Sequence, residues 1–305
     1  MRLSISNSDR RFLGALALWT AVLAVAANLA TGYAMQHWDR LDRRLDMPKF
    51  DVPANLENYG LNYRHCPVVV LGSSVVGGLP PLGWEKPGVC SITLVGQGSL
   101  VGLEVMNRLP QAVPRVLFVE SSFGFRDASP EEIAAATDPV KRTIRDWFPL
   151  ATASANWINM LWKVQFPIAT QLWHPSETWE QWHELRKPYS DIYVQIYGNP
   201  VNDWGKHHLD DNIVRTKALI AEIESRGTKV ILFDSPLDPR VAELPIIALW
   251  TEKMHEAFPD HEWVSDVPQK YWLSDGMHFT SGSGEDFFQL LMSHLPEGAT
   301  ASAAP

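Results

Sequence analysis

The 305-residue chain has no excess of positive charge. Lys and Arg number 26 against 35 Asp and Glu, a formal net charge of −9. Without a basic field to attract phosphates, a nucleic-acid binder is not expected. Cysteine is nearly absent, and the two residues present, Cys66 and Cys90, allow at most one internal bridge. No internal repeat runs through the chain. The spacing of a closed metal site is missing as well: His207 and His208 with Asp210 and Asp211 do not provide it, and helix capping explains Asp210 or Asp211 as well. His65 beside Cys66 reads as structural. No metal and no cofactor are expected. What remains is 46% hydrophobic and 20% charged, the composition of a globular protein with a sizeable core.

Charge is absent altogether from Phe12 to Met35, FLGALALWTAVLAVAANLATGYAM, 24 residues in all. A helix of that length is about 36 Å long, enough to cross the ~30 Å hydrocarbon layer with some tilt. A cleaved signal peptide ending near AVA at 24–26 is the alternative, but the apolar run is long for one, and a signal anchor over 12–35 is the preferred reading. Orientation is close to a tie by positive charge, with Arg2, Arg10 and Arg11 on one side and Arg40, Arg43, Arg44 and Lys49 on the other. Residues 1–11 form a tail before the span, and the charged, irregular 36–64 reads as a stalk leading into the folded part.

An α/β rhythm begins at residue 65. PVVVLG (67–72) and SITLVG (91–96) read as short buried strands, each ending in turn residues. Further strands are expected at 115–120, 229–234 and, weakly, 262–265. Helical patterns lie at LVGLEVMNRL, at DDNIVRTKALIAEIESRG ending in Gly227, over about 240–257 and at EDFFQLLMSHL. Strands alternating with helices imply a doubly wound parallel sheet. The tail 296–305 has a disordered composition. Cys66 and Cys90 each precede a strand; they form either a disulfide, which implies export, or two small buried hydrophobes.

Residues 127–205 break the rhythm and carry seven of the 13 tryptophans: Trp147, Trp157, Trp162, Trp173, Trp179, Trp182 and Trp204. We read a helical insertion over the carboxyl end of the sheet. Most of these rings belong to a satellite core, and one or two exposed ones would stack on sugar faces or meet a membrane partner.

Ligands of open α/β sheets bind outside the carboxyl ends of the strands. Three segments fall there. Ser74 follows the first strand in VLGSSVV, VGQGSL brings glycines close after the second, and SDGMHFTSGSG (274–284) follows the last. Asp275 and His278, in a stretch too glycine-rich for regular structure, would serve Ser74: His278 as base, Asp275 as its orienting carboxylate. Asp234, at a strand end, lines the cleft or makes a turn with Pro236.

This is not the G-x-S-x-G elbow of α/β-hydrolases, since Val76 stands two residues after Ser74. An early G-x-S with a late D-x-x-H resembles the SGNH (GDSL-like) hydrolase superfamily. GSS at 72–74 matches its first block with Ser73 in place of Asp, GQG at 96–98 its glycine block, and DGMH at 275–278 its last. The similarity spans about residues 66–295 outside the insertion, within an expected catalytic domain of 65–295. It implies a flavodoxin-like strand order 2-1-3-4-5, a Ser74–His278–Asp275 triad, and an oxyanion hole from the N–H groups of Ser74 and Gly98, with Gly96 or Ser122 as possible contributors. The family's G-x-N-D block has no counterpart: the third strand ends VESSFGF, without Asn, leaving Ser121 or Ser122 as substitutes. One lost oxyanion donor costs ~3 kcal/mol of transition-state stabilisation.

The same strand order makes the first two strands neighbours. Ser74 lies eight residues after Cys66 and Gly98 eight after Cys90, so the resemblance implies a Cys66–Cys90 disulfide and an extracytoplasmic domain. It implies a serine esterase or O-acyltransferase acting on acyl, most plainly acetyl, esters of envelope carbohydrate. Partners would be an acyl donor, a carbohydrate acceptor and a multi-span membrane O-acyltransferase. Two other classes compete. GQGSLVG with Glu120, 24 residues after Gly96, makes an irregular dinucleotide fingerprint. A non-catalytic envelope scaffold would leave Ser74 and His278 as incidental turn residues.

Overall fold

The computed structural model describes residues 7–37, 66–79, 88–109, 113–126, 129–147, 175–265 and 271–299, with 55–56, 59–60, 63 and 111 besides. Helix α1 (Asn7–His37) contains the apolar run, and Phe12–Ala30 is long and apolar enough to cross a membrane. The folded part follows as β1 (Val68–Ser73), β2 (Val89–Leu94), α2 (Ser99–Arg108), β3 (Val116–Glu120), α3 (Pro130–Thr137), α4 (Pro139–Trp147), α5 (Trp179–Tyr197), α6 (Asp203–Ser225), β4 (Lys229–Phe233), α7 (Pro239–Ala242), α8 (Pro245–Ala257), β5 (Glu262–Val264) and α9 (Ser281–Ser293).

The five strands form one parallel sheet in the order β2-β1-β3-β4-β5. β1 and β3 lie inside the sheet, and every residue of both is buried. That explains their unbroken apolar runs: a parallel strand covered on both faces has no solvent side to alternate with. α2 packs on β1 and against α6, closing one part of the cover.

Several expectations need correction. The entry part of 36–64 already joins the fold. Its described residues Leu56, Tyr59 and Tyr63, spaced three and four apart, are buried in the core. Helix α6 starts well before Asp210, because Asn202 caps it by accepting the Gly205 N–H at 2.8 Å. Asp210 and Asp211 are therefore mid-helix, and Asp210 pairs with Lys253 at 2.5 Å. The helix expected from about residue 240 is broken at Leu244–Pro245 into α7 and α8.

The glycine-rich end of SDGMHFTSGSG is regular after all: Ser281–Gly284 form the first turn of α9. Two helical glycines cost about 1 kcal/mol each. The fully buried Phe287, Phe288 and Leu291 each return about 1.5–3 kcal/mol. Gly284 is also needed for contact, since a Cβ there would lie 2.1 Å from the Gly78 carbonyl oxygen. At the chain end, residues 296–299 form a turn with Ala299 buried, and Arg115 Nη1 donates to the Gly298 carbonyl at 3.2 Å. The expected disorder of 300–305 lies outside the described residues.

Cys66 and Cys90 are joined in a disulfide, Cα–Cα 5.5 Å. The register differs from the one expected. Val69 stands opposite Cys90, and Ser73 opposite Leu94, so the cysteines are staggered by three residues rather than level. Cys66 still reaches its partner because the chain turns there, its N–H donating to Tyr63 O at 3.1 Å.

Candidate active site

β1 delivers its last residue, Ser73, fully into the core, and Ser74 emerges in the turn that follows. Two bonds fix that turn. Ser73 Oγ accepts the Val75 N–H at 3.2 Å, and Ser74 O accepts the Gly77 N–H at 3.1 Å. Ser74 Oγ then lies 2.8 Å from His278 Nε2, across 204 positions of sequence.

His278 Nδ1 lies 2.7 Å from Asp275 Oδ2. The two contacts assign the tautomer: Nδ1–H donates to the carboxylate, leaving Nε2 to accept the Ser74 hydroxyl proton. Asp275 Oδ1 accepts the N–H groups of Met277 (3.0 Å) and His278 (2.9 Å). Burial pushes this carboxyl up. The ring hydrogen bond and charge of His278, with the two backbone N–H bonds, outweigh burial and hold it at about 2. The carboxylate is thus ionised throughout the neutral range and available to steady an imidazolium.

The loop carrying both residues is closed on itself and clamped from two sides. Ser274 N–H donates to His278 O at 2.7 Å, and Thr280 N–H to Trp272 O at 2.9 Å. From α5, Trp182 Nε1–H donates to Leu273 O at 2.7 Å, and Trp179 Nε1–H to Tyr271 O at 3.1 Å. From the loop after β4, the Asp238 N–H donates to Gly276 O at 2.8 Å. The insertion is helical where it is described, in α3, α4 and α5; Trp157, Trp162 and Trp173 lie outside the described residues. Trp204 is 74% exposed and stacks on His208. His207 and His208 sit along α6, and no metal-ligand cluster occurs among the described residues.

Two further side chains bear on this arrangement and carry no motif. Tyr193 of α5 donates its hydroxyl to Asp275 Oδ2 at 2.9 Å, and burial followed by the Asp275 charge pushes the phenol well above its ordinary value. Glu120, 1% exposed at the end of β3, accepts the Ser73 N–H on Oε2 at 2.5 Å and the Ser235 hydroxyl on Oε1 at 2.7 Å. Burial raises its carboxyl, against the lowering pull of the Ser73 and Ser235 bonds. Glu120 thus braces Ser73, the residue next to Ser74. Facing inward, it is turned away from any ribose, which removes the acidic half of the dinucleotide fingerprint.

The candidate oxyanion groups divide. Ser121 donates its hydroxyl to Asp234 Oδ1, and Ser122 Oγ accepts the Ser235 N–H at 3.1 Å. Both serines are buried as ties between the loops after β3 and β4, which commits the Ser121 hydroxyl proton to Asp234, whereas the Ser122 hydroxyl acts there only as acceptor. Gly98 immediately precedes α2, and a Cβ there would lie 2.1 Å from Phe123 O. Its glycine is therefore demanded by backbone packing. Gly96 turns the chain at φ +76° and is exposed. Asp234 is tied to His255 Nε2 at 2.8 Å as well as to Ser121. The chain matches no protein-family model and no curated protein, so its functional reading rests on this geometry.

Proposed function

We propose that this chain is a serine esterase or O-acyltransferase of SGNH type, held to a membrane by α1 with its catalytic domain in the periplasm or another extracytoplasmic space. The observation that carries the reading is the Ser74–His278–Asp275 relay, with contacts of 2.8 and 2.7 Å. The parallel order 2-1-3-4-5 supports the SGNH assignment, and the disulfide together with the apolar helix supports the location.

Ser74 Oγ attacks the acyl carbonyl carbon as its proton passes to His278 Nε2. The carbonyl electron pair moves to oxygen, and the N–H groups of Ser74 and Gly98 bind the oxyanion. Collapse breaks the bond to the leaving alcohol, which takes the proton from His278. A second hydroxyl, from water or from a sugar, then attacks the acyl-enzyme, its proton going to His278 and back to Ser74 Oγ. Asp275 stays ionised and positions the ring. The acceptor we favour is an envelope carbohydrate, with a multi-span O-acyltransferase supplying the acyl donor.

The test is turnover of an aryl acetate by the full-length protein in detergent, with and without oligosaccharide, read by mass spectrometry. Acetylated oligosaccharide is expected for transfer and free acetate for hydrolysis. Ser74→Ala and His278→Ala should each lower kcat by at least ~10³-fold. Undiminished turnover by Ser74→Ala, or failure of Ser74 to react with a fluorophosphonate, would leave a non-catalytic scaffold as the better reading.

A further inference from the structure

Beside the catalytic loop lies a cavity of about 270 Å³, at the carboxyl ends of β4 and β5. Gly276, next to Asp275, forms part of its wall, as do Trp179, Trp182, His183 and Arg186 of α5 and the carboxylates Asp234 and Asp238. The two carboxylates are already engaged. Asp238 faces His183 Nδ1 at 3.3 Å and Arg240 Nε at 3.4 Å, and Asp234 faces His255 and Ser121.

Arg186 is different. Its guanidinium carbon sits over the Trp182 ring, 4.2 Å from the centroid, and over Tyr189 at 5.4 Å. Its Nε is buried without an acceptor, and among the described residues no hydrogen bond or ion pair reaches the group. A guanidinium offers five N–H donors in a fixed fork, matched by a planar carboxylate that takes two at once. Contact with the indole face restrains that fork before any ligand arrives. A phosphate dianion suits the cavity less well, because two carboxylates line it and, among the described residues that line it, Arg186 alone is a cation without an ion-pair partner. The half-buried Trp179 and the polar edges of His183 and Asp234 provide the mixed apolar and hydrogen-bonding wall that a sugar ring requires.

We propose that this cavity binds a carboxylate-bearing sugar unit of an acidic glycan, with Arg186 taking the carboxylate. The inference builds on the proposed function by naming the acceptor class: the glycan would be held alongside the loop that carries Asp275 and His278.

Binding is measured by calorimetry and tryptophan fluorescence on the full-length Ser74→Ala protein in detergent, so that no turnover is needed. The probes are tetragalacturonate, neutral cellotetraose, monomeric galacturonate and inorganic phosphate. Tetragalacturonate should bind about tenfold or more tighter than each of the other three, and Arg186→Gln should lose about tenfold of that affinity. Equal affinity for cellotetraose, tighter binding of phosphate, monomer binding as tight as the tetramer, or an unchanged Arg186→Gln protein would each overturn the assignment. The contrast between acidic and neutral probes needs no substitution in the cavity. Aryl-acetate turnover is followed separately on wild type. Tetragalacturonate binding without turnover removes the enzyme and leaves the site, and turnover without binding does the reverse.

Discussion

Asp275 receives four hydrogen bonds, from the ring and N–H of His278, from Met277 N–H and from the Tyr193 hydroxyl. A carboxylate held this way should leave two signatures. Its ordinary value of 3.8 is lowered to about 2 on folding, so it contributes stability above pH 4 that disappears as the pH falls through the folded value. With the side chain 25% exposed, that contribution is about 2 kcal/mol. Denaturant melts should show wild type losing its advantage over Asp275→Asn between about pH 4 and pH 2. The second signature is kinetic. Tyr193→Phe removes one donor and should lower kcat about tenfold, with little change in KM and an unchanged near-ultraviolet spectrum. A matching loss in thermal stability with kcat unmoved would reduce Tyr193 to a packing residue. Ser74 was legible because it directly follows a strand end, and Asp275 and His278 because they sit three apart in the loop after the last strand, and their types match one chemistry. Tyr193 was not, because a tyrosine on a helix of an unpatterned insertion carries no spacing to a loop 82 positions away. Glu120 was visible as a strand-end acid, but its inward turn depends on the Ser73 and Ser235 partners that only folding brings to it.

Among the elements, α9 decides how closely the Ser74 turn is backed. Its Gly284 meets the carbonyl of Gly78, which ends the short 3-10 turn after Ser74. Gly284→Ala would push a methyl group into that oxygen and should cost about 1–3 kcal/mol in a thermal melt, with a fall in aryl-acetate turnover as the Ser74 turn shifts. The parallel strands were readable because fully buried strands are continuously apolar, and their ends lay within two residues of the expected ones. Helix starts were harder. α6 begins at a capping Asn202 followed by a polar first turn, and α9 begins with two glycines, so neither start shows the apolar spacing of its later turns.

At the scale of the whole molecule, the bridge between Cys66 and Cys90 closes a separation of 24 residues and joins the approach to β1 to the edge strand β2. Cys66→Ser with Cys90→Ser should lower stability by about 3 kcal/mol. Because the bridge sits at the amino end of the strands, the variant should keep its kcat at temperatures below its own melting transition. The strand order followed from the resemblance and from the alternation of elements, whereas the stagger of the cysteines did not, because register depends on the pairing of whole strands. One consequence concerns force. A load entering β1 at its amino end would meet Cys66 there, whereas Ser74 stands at the other end, about 20 Å further along. The covalent link passes part of that load sideways into β2, away from the strand that leads to Ser74. Such a load is thereby shared by two strands before it reaches the turn that holds Ser74.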